Sequence, residues 1–265
     1  MRPPARHVLG ILASALGTFA AFCSSRESSA EPNAAAEQRT TVRALERARQ
    51  LLVVTSAGWS AVPAEMRCYE RRDNRSPWVE AFAVGRVVLG KNGLGWGIGL
   101  PGARGEDGPV KREGDRKAPA GVFPLVEAFG YASAAEAGIT EFPYRHLTDT
   151  IEGVDDPASR HYNRLVDAAS VEVKDWTSSE AMRRAGEVYR YGVVVGHNWN
   201  QVPHAGSCIF LHIWEGAEIG TSGCTAMPAE QMLKILRWLR QSDHPLLVQL
   251  PADEYRQLQS RWSLP

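Results

Sequence analysis

The sequence predicts a mainly β fold with a few flanking helices, and three features predict it. Short apolar runs rich in Val, Ile, Leu and Phe recur along the chain, as at 51–55, 191–195 and 208–213. Glycine and proline, 24 and 16 residues, punctuate the intervals between them as turn formers do. Helical periodicity is confined to a few segments.

In chain order, residues 31–41 are rich in Ala, Glu and Asn and read as loose. Thr41 to Leu52 reads as a helix, with Val42, Leu45, Ala48 and Leu52 on one side. A strand-like run follows from Leu51 to Thr55. Trp78 to Leu89 alternates, Val79, Ala81 and Ala83 against Glu80, Phe82 and Val84, which suits a sheet. The stretch Gly90 to Gly108 holds Gly-Leu-Gly-Trp-Gly-Ile-Gly at 93–99. No helical pattern follows it, so it reads as turns and close strand approach rather than a phosphate loop. Lys117-Ala118-Pro119-Ala120-Gly121-Val122-Phe123 reads as a turn into a strand. Ser178 or Ser179 is placed to cap a helix running through Met182 to Val188. Pro228 opens another, lined by Met232, Ile235, Leu236 and Leu239. Pro245 to Leu250 is the last strand.

Arg2, Arg6 and His7, the apolar run Val8 to Phe22, and Ser28-Ser29-Ala30 follow the charged, apolar, small-residue order of a secretory signal. The apolar run is too short to span a bilayer comfortably, and no other stretch is long enough for a membrane span. Cys23 stands where a lipoprotein cysteine would, but Phe22 precedes it, which makes lipid anchoring the lesser expectation. Either route implies export to the periplasm or cell envelope. Lys plus Arg and Asp plus Glu are 30 each. That balance argues against nucleic acid as a partner, and a monomer is expected.

Beyond Cys23 the chain has Cys68, Cys208 and Cys224. An odd thiol in an oxidising compartment points to one that stays reactive. The expectation is a Cys68–Cys208 bridge, or two buried thiols, with Cys224 free.

Chemistry concentrates between Gly206 and Met227. His212 ends an apolar strand, Thr221-Ser222-Gly223-Cys224 is a tight turn bearing a thiol, and Pro228 starts a helix shortly after. A Cys near a helix N-terminus is expected to feel its positive end, which favours thiolate. A His within hydrogen-bond reach completes a Cys–His pair. Backbone N–H groups about Ser222, Gly223 and Cys224 are candidates to face an oxyanion, and Gly223 lets the backbone approach substrate.

These residues resemble the signature of the L,D-transpeptidase catalytic domain family, YkuD-type: a strand His followed by a Ser/Thr-x-Gly-Cys turn. The 117–123 block is similar to that family's upstream Thr-Pro-x-Gly-x-Phe strand. The resemblance implies a β-sandwich, Cys224 as nucleophile and His212 as its base. It implies a cysteine acyltransferase that acts on peptidoglycan stem peptides as L,D-transpeptidase or L,D-carboxypeptidase, with no cofactor and no metal. The chain departs from the family pattern in carrying Ser222 where a His is usual and Ala226 where an Arg is usual, so it reads as a divergent branch. Its His-to-Cys interval is also short for the family. The implied organisation is a signal peptide over 1–30, a helix and first strands over 31–76, a catalytic domain over 77–251 with an insertion at about 125–190, and a tail over 252–265.

Other candidates are weaker. His197 and Asn198 are candidates to enter the pocket and orient His212, with Trp199 as a platform, or to be a strand-end loop. Trp214 is a core or pocket-wall residue, and Thr221 a substrate-side residue. Asp155-Asp156 with Tyr162-Asn163, and separately Lys111, Arg112 and Arg116, read as solvated segments more readily than as ligand contacts. A zinc hydrolase would need His197, His204, His212, Cys208 and Cys224 to converge; a catalytically inactive wall-binding module is the other alternative.

Overall fold

The computed structural model describes residues 31–105 and 107–265, with side chains from 39 onward. The candidate export signal and Cys23 lie outside the described residues. No helix among the described residues is long and apolar enough to cross a membrane.

The chain is mainly β, as its patterning predicts. Its strands are β1 (Gln50–Ser56), β2 (Pro63–Glu70), β3 (Val79–Val88), β4 (Leu94–Trp96), β5 (Ala118–Gly130), β6 (Tyr144–His146), β7 (Ile151–Val154), β8 (Arg164–Asp167), β9 (Ser179–Ala181), β10 (Tyr191–Val195), β11 (Phe210–Ile213), β12 (Thr225–Met227) and β13 (Leu246–Pro251). The helices are α1 (Glu31–Arg47), α2 (Ala134–Ala137), α3 (Ala229–Trp238) and α4 (Ala252–Trp262). Pairing runs β10-β11-β12-β3-β2-β1-β13-β5, and β5 then pairs back onto β10. Eight strands thus close into a barrel-like sheet, where two stacked sheets were expected; closure leaves no edge between β5 and β10. β1 and β2, which lie in the segment 31–76, pair within this same sheet, β1 against β13 and β2 against β3.

Several elements differ from expectation for local reasons. Residues 31–41 are helical, not loose: α1 starts at Glu31, within an Ala- and Glu-rich run that favours helix. It ends at Arg47, where the Arg71 guanidinium takes up the last carbonyls, donating to Leu45 O, Glu46 O and Ala48 O. The helix expected over 182–188 is instead β9 followed by a 3-10 segment, Met182–Tyr189, broken at Gly186 with φ 72°. The expected C-terminal tail is α4, which sends Leu258 and Trp262 into the core. The glycine-dense stretch does mark close backbone approach. A Cβ at Gly99 would stand 2.2 Å from Val122 O, and one at Gly90 2.3 Å from Arg116 O.

The main core gathers residues of all eight barrel strands with α3 and α4. Trp96 is its largest fully buried side chain, edge-on to Trp59 at 5.1 Å and donating Nε1–H to Asp107 O. Trp96→Ala is expected to lower unfolding free energy by about 3–5 kcal/mol through cavity formation, measurable as an earlier urea midpoint.

What positions the site is alternation on β10–β12. Val193, Val195, Leu211, Ile213 and Met227 face the main core, whereas Val194, Phe210 and Cys224 join a second cluster. That cluster is covered by Leu147, Ile151, Met182 and Tyr189 from the insertion. The insertion begins after β5 at Gly130 and carries its own sheet, order β8-β7-β9. It lies as a lid over the face of the barrel that bears Cys224.

Candidate active site

Strands β11 and β12 run parallel, with Leu211 opposite Thr225 and His212 opposite Ala226. In strands, residues two apart share a face, so Phe210 and His212 stand beside the Cys224 and Ala226 positions. Cys224 and His212 both line one cleft of about 390 Å³ between barrel and lid. Thr221, Ser222, Gly223 and Trp214 line it as well.

The turn is held by Thr221, whose hydroxyl accepts from Gly223 N–H at 3.0 Å and donates to Cys224 O at 2.7 Å. Gly223 has φ 152°, and a Cβ there would meet Lys117 O at 3.2 Å, so glycine is required in this turn. Its N–H is already committed to Thr221, which leaves the Ser222 and Cys224 N–H groups as the turn's candidate oxyanion donors. The Cys224 Sγ accepts from Phe210 N–H at 3.3 Å and lies 3.6 Å from Cys208 O.

The helix-dipole expectation fails. The three residues of β12 intervene between Cys224 and α3, which begins at Ala229, and dipole effects fade beyond the terminal turn. Burial dominates instead and pushes the Cys224 thiol up to about 12, opposed by the Phe210 N–H and by Lys111.

His212 is 7% exposed, and its Nδ1 lies 2.7 Å from Ile213 O. A carbonyl only accepts, so Nδ1 carries the proton and Nε2 keeps a free lone pair. Burial holds the imidazole down at about 4. The ring meets Tyr189 edge-to-face at 5.3 Å, and Tyr189 in turn packs on Phe129 and Phe210. Tyr189 O–H donates to Glu180 at 2.9 Å, and burial raises the Glu180 carboxyl.

His197 and Asn198 do not reach the cleft. His197 is fully buried beside Phe123, its Nδ1 accepting from Ile98 N–H at 3.2 Å and its Nε2–H donating to Ala205 O at 3.1 Å. Asn198 ties the loop through Val202 and Gly206. Trp199 stacks under Arg164 at 3.8 Å rather than forming a platform beside Cys224. Cys68, Cys208 and Cys224 are all free: Cys68 lies in the main core, whereas Cys208 packs on the second cluster. No three His, Cys, Asp or Glu side chains among the described residues are grouped to hold a metal ion.

The cleft also contains residues that read from sequence as solvated. Lys111 is buried and Asp155 lines the wall. Asp156 instead ties Thr177 and Ala158, Asn163 donates to the 197 and 198 carbonyls, and Tyr162 O–H donates to Glu113 at 2.5 Å.

No known family, curated protein or solved structure matches this chain.

His197 and His212 are both pushed from 6.5 to about 4 by burial. Between those values the unfolded chain binds more protons than the folded one. Stability is therefore full above pH 6.5 and falls as pH drops towards 4, by on the order of 3 kcal/mol per histidine. Unfolding free energy followed from pH 7 to 4 should show this slope, and His197→Gln should make it shallower.

Proposed function

We propose that the protein is an exported cysteine acyltransferase of the cell envelope, related to the L,D-transpeptidase catalytic type, that acts on peptidoglycan stem peptides. One observation carries this reading. A thiol in the turn just before β12 and an imidazole with a free Nε2 on the neighbouring parallel strand β11 line one lidded cleft. The 117–123 block, the second part of the resemblance, forms the start of β5.

At rest the pair is neutral, thiol on Cys224 and unprotonated His212, because burial disfavours the charged form of each. His212 then acts as general base at the moment of attack. The thiol proton moves to Nε2 while Sγ bonds to the carbonyl carbon before the terminal D-amino acid. The negative oxygen is met by the turn's Ser222 or Cys224 N–H. As the tetrahedral species collapses, the C–N bond breaks and His212 returns the proton to the leaving amine. The thioester passes to an acceptor amine, giving a crosslink, or to water, giving a trimmed peptide.

The test is incubation of the mature protein with a carbapenem and with a stem tetrapeptide, read by intact mass and by product analysis. A one-to-one adduct on Cys224 and release of the terminal residue are expected. An alkylatable Cys224 that forms neither would move the substrate elsewhere. An inert Cys224 would overturn the nucleophile and leave the wall-binding module.

A further inference from the structure

Lys111 is 5% exposed, an unusual place for an ammonium. Its Nζ donates to Asp115 Oδ1 and to Arg112 O, each at 2.6 Å. Its stem is wedged between two glycines. A Cβ at Gly206 would stand 3.2 Å from Lys111 Cε, and one at Gly223, in the turn that carries the thiol, 3.9 Å from the same atom. Among the described residues that line the cleft the cations are Lys91 and Lys111, and Lys91 is exposed at the rim.

The other charged or titratable groups near Cys224 are neutral or anionic. Asp155, Glu180 and Tyr189 come from the lid, Glu113 from the loop before β5, Cys208 and His212 from the β11 side, and Glu215 from the loop after β11. Glu113 is held by the Tyr162 and Ser207 hydroxyls, and Glu180 by that of Tyr189. These carboxylates and the low dielectric oppose a thiolate there. Only Lys111 supplies buried positive charge against them.

We propose that Lys111 is a positioning residue whose buried ammonium, partly neutralised by Asp115, sets the field that lets Cys224 carry negative charge during reaction. This rests on the reading of Cys224 as nucleophile. Asp115 matters because it divides the cation's field between itself and the cleft, so the two residues act on the thiol with opposite sign.

The experiment is the rate of Cys224 alkylation by iodoacetamide from pH 7 to 10 in the full mature chain. Lys111→Met should slow alkylation about tenfold at fixed pH and move the profile upward, as loss of a nearby cation does. Lys111→Arg should stay within about threefold of the parent, since charge is kept. Asp115→Asn should accelerate alkylation several-fold, although it loosens the same loop. Equal slowing by Lys111→Met and Asp115→Asn, or unchanged profiles in both, would overturn the proposal and leave a structural ion pair. If Lys111→Met does not fold, the sign of the Asp115→Asn effect decides alone. A parent Cys224 that resists alkylation throughout would instead sink the nucleophile reading, and the Lys111 role with it.

Discussion

Cys224→Ala is expected to abolish both the carbapenem adduct and stem-peptide turnover, a loss on the order of 10⁴-fold or more, with the fold intact. The side chain sits at the junction of lid and barrel, and Ala there removes one sulfur from the second cluster. That costs on the order of 1 kcal/mol, far from enough to unfold a domain of this size. Cys224→Ser is the sharper control. It keeps the shape of the site but places an alcohol before a base that burial has weakened. A serine variant that retained a tenth of parental turnover would exclude the thioester route, because such a base would deprotonate an alcohol poorly.

That the candidate nucleophile is legible in the sequence and much of its surroundings is not has a physical origin. The Thr221-Ser222-Gly223-Cys224 turn is local: Gly223 at φ 152° and the Thr221 hydroxyl bonds are encoded within four residues. His212 is legible because it is the one polar residue in β11, a short and otherwise apolar strand. The strands themselves are visible as apolar runs. Their closure is not, since the β5–β10 and β5–β13 pairings join segments far apart in the chain and no local residue encodes them.

The features that depart from expectation share a pattern. Pro228 suggests a helix dipole at the thiol, yet β12 intervenes between thiol and helix. His197 has the loop position of a site residue, but its two ring nitrogens are consumed by Ile98 N–H and Ala205 O. Lys111 stands in a run of charges that looks solvated, and only the approach of Gly206 and Gly223 buries it. Tyr189 and Glu180 carry no motif at all, because a lid contributes to a site by tertiary docking. The one signal available is the long interval between the 117–123 block and the Cys224 turn, which marks an insertion without saying what it covers.

The lid gives His212 its character, and this leads to the second large effect. His212→Ala is expected to slow turnover by about 10²–10⁴-fold, the usual range for loss of a general acid–base group. The shape of the pH profile discriminates more than the magnitude. With His212 held near 4 and the thiol near 12, the parent protein keeps the neutral pair across the whole range between, so on the proposed mechanism kcat/KM should be flat from pH 5 to 9. Without the base, reaction needs preformed thiolate, whose fraction rises tenfold per pH unit below its pKa. The His212→Ala profile should therefore climb with unit slope over pH 6–9. A variant that stayed flat would show that another group takes the proton, and Tyr189 through Glu180 would be the next place to look. A parent protein whose rate already climbed with unit slope would mean that His212 is not the base. The Ile213 carbonyl that fixes the tautomer and the Tyr189 ring that clamps the imidazole would then serve structure alone.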